Sequence, residues 1–335
     1  MEEKKFNQIG VSFKGSGSYV PDQILTNQKI SQKVDTSDEW IKSRTGISER
    51  RISGVGDNVS NMGYKAALNA IEKANWDVKT IDLIILATST PNDLFGSAPS
   101  IQAKLGASNA VAFDLTAACS GFLFALVTAS QFVKGGNFKR AVVIGADQLS
   151  SFVDWNDRRS CILFGDGAGA LAIEATKEFD NFIGFEMKTD GERGCFLNLP
   201  SKNNKDSIID NIDFSSGSFS PIQMNGQEVY KFAVREVPII LEKLFRKKNY
   251  TSDEVDWLVL HQANQRILDS VGDRLKIPRE KIISNLEKYG NTSAATIPLV
   301  MDEAVRNNRI KQNDIIATSG FGAGLSWGAA LFKWG

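Results

Sequence analysis

Cys119 lies in Asp114-Leu115-Thr116-Ala117-Ala118-Cys119-Ser120-Gly121-Phe122, where an apolar strand gives way to a helical run over 122–132. A thiol at a helix N-terminus meets unpaired N–H groups and the positive end of the macrodipole. Both stabilise a thiolate and can bring a cysteine pKa from about 8.5 into a range of roughly 3.5–7.5. The small neighbours Ala117, Ala118, Ser120 and Gly121 leave room for a bulky acyl thioester beside the sulfur. On position alone, an inert cysteine packing a strand–helix junction is the competing explanation. Cys161, beside Ile162-Leu163-Phe164, and Cys195 lack such a junction and read as packing residues.

His261 is the only histidine, which excludes any mechanism needing two imidazoles in one subunit. It begins His261-Gln262-Ala263-Asn264 where the strand 257–260 ends, the usual place for ligand-binding residues in open α/β sheets. Asn291 sits in Tyr289-Gly290-Asn291-Thr292-Ser293, a turn running into small residues. Read singly, one is a structural histidine and the other a turn or helix-cap asparagine. Together they offer two hydrogen-bond donors without a titrating carboxylate, a combination suited to holding a thioester enolate as it forms. Decarboxylating a malonyl group needs an oxyanion site and no base, so one histidine suffices. Gly320-Phe321-Gly322-Ala323-Gly324 supplies closely approaching N–H groups, with Gly322 and Ala323 as the oxyanion loop for a tetrahedral intermediate at Cys119. The glycine spacing there, and in Gly165-Asp166-Gly167-Ala168-Gly169, is weak as a nucleotide-binding signature because no helix and downstream acid follow.

These residues need rigid elements to place them. Apolar runs over 83–88, 111–115, 141–145, 168–173, 257–260, 315–319 and 326–332 predict strands buried on both faces. Amphipathic stretches over 61–74 and 229–247 predict helices between them, an α/β pattern. Two features recur in the same order: 81–86 echoes 255–260, and 165–170 echoes 320–325. The recurrence points to a duplicated unit with halves 1–175 and 176–335. The polar stretch 201–220, rich in Asn, Asp and Ser, is expected to be a surface loop.

Composition narrows the function classes. Thirty-nine basic residues balance thirty-nine acidic ones, so no global field favours nucleic acid or an anionic membrane. The N-terminal Met1-Glu2-Glu3-Lys4-Lys5-Phe6 lacks the apolar stretch of a signal peptide, and no run of about 18 apolar residues occurs, so a cytoplasmic location is expected. Three cysteines without metal-ligand spacing argue against a zinc site or a disulfide framework.

Thr116-Ala117-Ala118-Cys119-Ser120-Gly121, His261-Gln262-Ala263-Asn264, Asn291-Thr292-Ser293 and Gly320-Phe321-Gly322-Ala323-Gly324 together resemble the β-ketoacyl-acyl-carrier-protein synthase III family. Asp35-Thr36-Ser37-Asp38-Glu39-Trp40-Ile41, Arg44-Thr45-Gly46-Ile47 and Gly165-Asp166-Gly167-Ala168-Gly169-Ala170 extend the likeness over nearly the whole chain. The resemblance implies a thiolase-like fold, a duplicated α/β unit in five layers (α-β-α-β-α), and a homodimer. It implies the condensation that initiates type II fatty-acid synthesis: acetyl-CoA loads Cys119, malonyl-acyl carrier protein decarboxylates, and acetoacetyl-acyl carrier protein, CO2 and CoA leave. No metal or organic cofactor is implied.

Residue by residue, the resemblance assigns CoA binding to Trp40, Arg44, Arg158, Gly226 and Asn264. Thr36 and Glu39 have capping-box spacing, opening a helix on which Trp40 and Arg44 share a face. Phe321 and Phe95 match acyl-pocket positions, Phe95 reaching across the dimer, although the segment after Phe95 is one residue shorter than the common pattern. Lys231 and Arg266, with Arg274 nearby, match basic positions for carrier-protein docking. Gln227 and Asp273 depart from the family pattern, which expects Asn and Lys there. Three readings stand beside this one: a polyketide-type or specialised acyl-CoA condensing enzyme with the same triad, a papain-like Cys-His-Asn hydrolase, and a catalytically silent scaffold.

Overall fold

The computed structural model describes residues 8–209 and 212–335. The chain up to residue 176 forms strands β1 (Gly10–Tyr19), β2 (Gln23–Thr26), β3 (Glu49–Ile52), β4 (Leu83–Ala87), β5 (Val111–Leu115), β6 (Arg140–Gln148) and β7 (Asp166–Thr176). Helices α1 (Asn27–Ser31), α2 (Asp38–Thr45), α3 (Val59–Ala74), α4 (Ala98–Leu105) and α5 (Gly121–Lys134) lie among them. The rest forms β8 (Phe182–Thr189), β9 (Leu197–Asn198), β10 (Ser201–Ile209), β11 (Ile212–Phe219), β12 (Gln223–Met224), β13 (Trp257–Leu260), β14 (Ile315–Gly322) and β15 (Ser326–Lys333). Its helices are α6 (Gly226–Lys248), α7 (Gln265–Leu275), α8 (Leu286–Tyr289) and α9 (Thr296–Arg306).

Two sheets carry the fold, one in the order β1-β7-β6-β4-β5 and the other β13-β14-β15-β8. Four strands of the first, β4-β6-β7-β1, have the same order and relative directions as the four of the second: a parallel pair, then two antiparallel neighbours. The fold is thus a duplicated α/β unit. The echo between 81–86 and 255–260 falls on equivalent strands, β4 and β13. The second echo does not. Gly165-Asp166-Gly167 opens β7, the third strand of its unit, whereas Gly320-Phe321-Gly322 ends β14, the second strand of the other. The glycines recur for a shared physical reason, close backbone approach: a Cβ on Gly169 would lie 2.5 Å from Leu299 N, and one on Gly322 2.6 Å from Cys119 N.

Burial explains each layer. Helix α5 is apolar nearly all round because it lies between the sheets, touching β4 and β6 on one side and β14 and β15 on the other. With α9 it fills a central core in which Phe122, Leu126, Ile297 and Met301 are buried. Helix α3 is one-sided. Asn58 caps it by accepting from Asn61 N, Asn75 ends it in the left-handed conformation, and Val59, Met62, Ala66 and Ala70 face the first sheet. Helices α6 and α7 cover the outer face of the second sheet. The sequence α-β-α-β-α follows from these packings.

Two expectations are corrected. Within the stretch 201–220, Ser201–Ile209 and Ile212–Phe219 pair as the antiparallel strands β10 and β11, and this two-stranded sheet stays exposed to water, so its polar composition mimics a loop. Helix α2 is capped by Ser37, whose Oγ accepts from Trp40 N at 3.1 Å, and not by Thr36.

Candidate active site

Cys119 sits on a single helical turn, Ala118–Ser120, between β5 and α5. Ala118 takes a left-handed φ of 49°, which turns the chain sharply enough to aim the thiol away from the helix. The end of β14 packs directly against this turn. Only glycine fits at 322, because a Cβ there would stand 2.6 Å from Cys119 N and 3.1 Å from Ser120 N. The backbone at Gly322 therefore closes directly on the turn that carries Cys119.

His261 follows β13, whose pairing with β14 it prolongs by donating its N–H to Ser319 O at 2.8 Å. The ring is buried, edge-on to Phe321 at 5.2 Å between centroids. Its Nδ1 lies 2.7 Å from Thr296 Oγ1, and that hydroxyl also donates to Ser293 O at 3.0 Å. One hydroxyl hydrogen thus serves two acceptors. While Ser293 O holds it, Nδ1–H donates to Thr296 and Nε2 is an acceptor; turned toward Nδ1, it leaves the ring hydrogen on Nε2. Burial pushes the imidazole down to about 3, so the ring is neutral at physiological pH.

Asn291 is held by its backbone, donating N–H to Leu163 O at 2.9 Å and accepting from Gly165 N at 3.0 Å. Its Oδ1 accepts from Ser293 N at 2.9 Å, which fixes the carboxamide with Nδ2 left as a donor. Cys119, His261 and Asn291 line one channel of about 100 Å³, together with Phe321, Gly322, Gly226 and Asn264. The three side chains that chemistry needs, far apart in sequence, do converge.

The thiol is not the lowered one that its helix terminus suggested. Burial pushes Cys119 up to about 12, outweighing the hydrogen bond from Ser293 Oγ to its sulfur at 3.3 Å. At rest the site holds a thiol, since the low dielectric charges more for the anion than the turn returns. Cys161 is buried as expected, but Cys195 is exposed and does not pack.

The remaining expected residues fall in three places. Trp40 on α2 is 37% exposed, and the Arg158 guanidinium stands 5.3 Å from its ring centre, covering one face. Arg44 joins α2 to α7, its carbonyl accepting from Asn264 Nδ2 at 3.0 Å. Asn264 Oδ1 accepts from Arg266 N, so both ends of that amide are engaged locally. Gly226 opens α6 at the channel wall. Lys231, paired with Glu228 at 2.7 Å, Arg266, stacked on Tyr230 at 5.3 Å, and Arg274 are all exposed on α6 and α7. Phe95 is fully exposed and outside the channel, while Phe321 lines it. Sequence reasoning missed Asp147, Ser293 and Thr296 as neighbours of the site. An acid ending an apolar strand, Gly145-Ala146-Asp147, was the signal available for the first.

A buried cysteine facing one imidazole and one carboxamide, set between two copies of an α/β unit, defines a thiolase-fold condensing enzyme. Residues 113–191 match the family model for 3-oxoacyl-[acyl-carrier-protein (ACP)] synthase III, and 245–334 match the model for its C-terminal part. A β-ketoacyl-[acyl-carrier-protein] synthase III of Prochlorococcus marinus (strain MIT 9312) is 89% identical over 100% of both chains. The crystal structure of 3-oxoacyl-[acyl-carrier-protein] synthase III from Aquifex aeolicus VF5 superposes with a TM-score of 0.89 at 40% identity, covering 97% of this chain and 100% of that one. The priming β-ketosynthase of the R1128 polyketide pathway gives 0.88 at 31% identity, over 98% and 97%. The chain belongs to the 3-oxoacyl-[acyl-carrier-protein] synthase III family and is a condensing acyltransferase of fatty-acid synthesis.

Proposed function

We propose that the chain joins acetyl-CoA to malonyl-acyl carrier protein, with Cys119 as nucleophile and His261 and Asn291 as the decarboxylation pair. The convergence of these three residues in one channel carries the reading. Cys119 attacks the acetyl thioester, the oxyanion forms against backbone N–H groups of the Gly322-Ala323 loop, and CoA leaves. Malonyl-acyl carrier protein then enters the same channel. As CO2 departs, the enolate oxygen accepts from Asn291 Nδ2 and from Nε2 of His261 in its Nε2–H form. The enolate carbon attacks the acyl group on Cys119 and releases acetoacetyl-acyl carrier protein. No step calls on a metal or organic cofactor.

Trp40, Arg44 and Arg158 surround the route by which CoA enters, and Gly226 and Asn264 shape the pantetheine passage. Lys231, Arg266 and Arg274 form a basic rim suited to an acidic carrier protein. Halves 1–175 and 176–335 divide the chemistry, the first holding the cysteine and the second the histidine and asparagine. Two copies pair along the β5 edge, where Val111, Phe132, Leu94 and Phe95 are exposed apolar side chains, and Phe95 then reaches the partner's acyl pocket. No helix among the described residues is long and apolar enough to cross a membrane, in keeping with work in the cytoplasm.

Incubation with labelled acetyl-CoA tests the reading. Label should appear on Cys119, vanish in Cys119→Ala, and persist in His261→Ala and Asn291→Ala, which lose condensation instead. No acyl transfer from any short acyl-CoA would end the proposal. The likeness to a polyketide priming synthase favours one second reading, a specialised condensing enzyme; efficient use of malonyl-CoA in place of malonyl-acyl carrier protein would select it.

A further inference from the structure

Arg50, the second residue of β3, is fully buried, and burial lowers its guanidinium only to about 10, so it keeps its charge at physiological pH. Among the described residues its hydrogen bonds go to neutral oxygens. Nη1 donates to Leu25 O at 3.1 Å and to Asn27 Oδ1 at 2.8 Å, and Nη2 donates to Ile162 O at 2.6 Å. Burying a cation against neutral acceptors is costly, and what these bonds do provide is placement. Ile162 opens the segment that grips Asn291. One residue on, Leu163 O accepts from Asn291 N at 2.9 Å, and Gly165 N donates to Asn291 O at 3.0 Å, so that Phe164 and Asn291 form a parallel bridge. The Arg50 stem packs straight onto the backbone of that bridge: a Cβ on Gly165 would lie 3.0 Å from Arg50 Cβ, and one on Gly290 3.4 Å. The chain just before β3 holds α8, which leads into the Asn291 turn, with Ser48 N donating to Glu287 O at 2.9 Å. Asn27 continues the line toward the Trp40 helix, its Nδ2 donating to Asp38 Oδ1 on α2 at 2.9 Å. None of the three Arg50 acceptors belongs to the turn that carries Cys119, against which β14 packs instead.

We propose that Arg50 is a positioning residue for the decarboxylation half of the reaction: it fixes the 162–165 segment, and through that segment the Asn291 carboxamide that donates to the enolate oxygen. The inference rests on Asn291 being that donor, as proposed above. A donor aimed at a developing oxyanion is effective only when its place is set beforehand, and a displacement of about 1 Å can cost about 10² in rate. Asn291 is set by its main-chain bonds to Leu163 and Gly165, so its Nδ2 is no better placed than the segment that makes them. That segment leaves a turn at Ser160–Leu163 and has no long strand of its own to hold it. The planar guanidinium supplies the anchor, because its two terminal nitrogens reach β2, Asn27 and Ile162 at once. A lysine offers one ammonium at the end of a flexible stem and cannot span those acceptors. Loading of Cys119 makes no use of the Asn291 carboxamide, whereas condensation does. The contribution of Arg50 therefore falls on one half-reaction, unlike that of a residue that merely keeps the chain folded.

The test compares Arg50→Met, Arg50→Lys, Asn291→Ala and the double variant Arg50→Lys/Asn291→Ala in the full chain. Loading from labelled acetyl-CoA and condensation with malonyl-acyl carrier protein are followed in separate single-turnover assays. Arg50→Met should load within about threefold of wild type and condense about 10²-fold more slowly. Arg50→Lys keeps the charge and part of the hydrogen bonding, so it should load normally and condense at a rate between the two; it carries the test where Arg50→Met fails to fold. The double variant should condense no more slowly than Asn291→Ala alone, since a residue that acts through Asn291 then has nothing left to position. Losses that multiply in the double variant, equal losses in loading and condensation, or wild-type condensation in Arg50→Lys would each overturn the proposal. Should Asn291→Ala itself condense at the wild-type rate, the role of Asn291 fails first, which is a different result.

Discussion

The chemistry turns on side chains whose neighbours decide their protonation. His261 has no charged partner and is held neutral by burial, its pKa down at about 3 against an ordinary 6.5. A depressed value means the unfolded chain binds the proton first on acidification. The stabilising contribution is therefore complete above about pH 6.5 and is lost as pH falls toward 3, amounting to about 2 kcal/mol by pH 5. Urea midpoints at pH 7 and pH 5 should thus diverge more in wild type than in His261→Gln. The condensation half-reaction should show no histidine limb between pH 5 and 8; a limb near 6.5 would mean that the ring titrates in the folded site. Asn291→Asp replaces the Nδ2 donor by an acceptor. Condensation should fall on the order of 10²–10³ with loading retained, as measured by separate single-turnover assays.

At the level of elements, the site depends on two backbones meeting: the turn before α5 and the end of β14. Gly322→Ala should cut acyl loading by about 10²-fold, because its Cβ would stand 2.6 Å from Cys119 N and push the oxyanion loop away. Gly191→Ala, with nothing within 4 Å, is the control that should load normally. Equal loading in both would show that the β14 backbone is not part of the oxyanion site. Helix α2 offers a milder case. Ser37→Ala removes the cap that accepts from Trp40 N and should cost about 1 kcal/mol, read as a lower Tm.

Across the whole molecule, the β5 edge is the exposed apolar border of the first sheet. Phe132 stacks on Phe138 at 5.8 Å and meets Phe113 at 6.5 Å, while the Asp114 carboxylate accepts from Ser97 N and Ala98 N and so anchors the loop bearing Phe95. An uncovered edge of this kind invites pairing with a second copy. Sedimentation should give twice the 36.7 kDa chain mass, and Val111→Lys should shift the protein toward monomer. A wild type that sediments as monomer would remove Phe95 from the acyl pocket.

Local pattern was enough for much of this. The apolar run that became β13 was legible to the residue because a buried strand leaves no polar interruption, and β5 was placed as well although it carries Asp114 and is an exposed edge, not a strand buried on both faces. Cys119 and His261 were legible because each follows a strand, whereas Asn291 stands in the turn between α8 and α9 and was read from Tyr289-Gly290-Asn291-Thr292-Ser293. The pair β10–β11 was not legible, since strands exposed to water read like loops. Nor was the reach of β6 to Gln148, where a polar residue, Asp147, continues the ladder. The sequence by itself determined the alternation of strands and helices, which rests on short-range patterning, and singled out Cys119, His261 and Asn291 as candidates. Only the tertiary structure decided the rest: that β14 closes on Cys119, that burial raises the thiol and lowers the imidazole, and that the Ser293 hydroxyl donates to the sulfur. Dielectric and distance are set by whatever the fold packs around a residue, and no neighbour in sequence reports them.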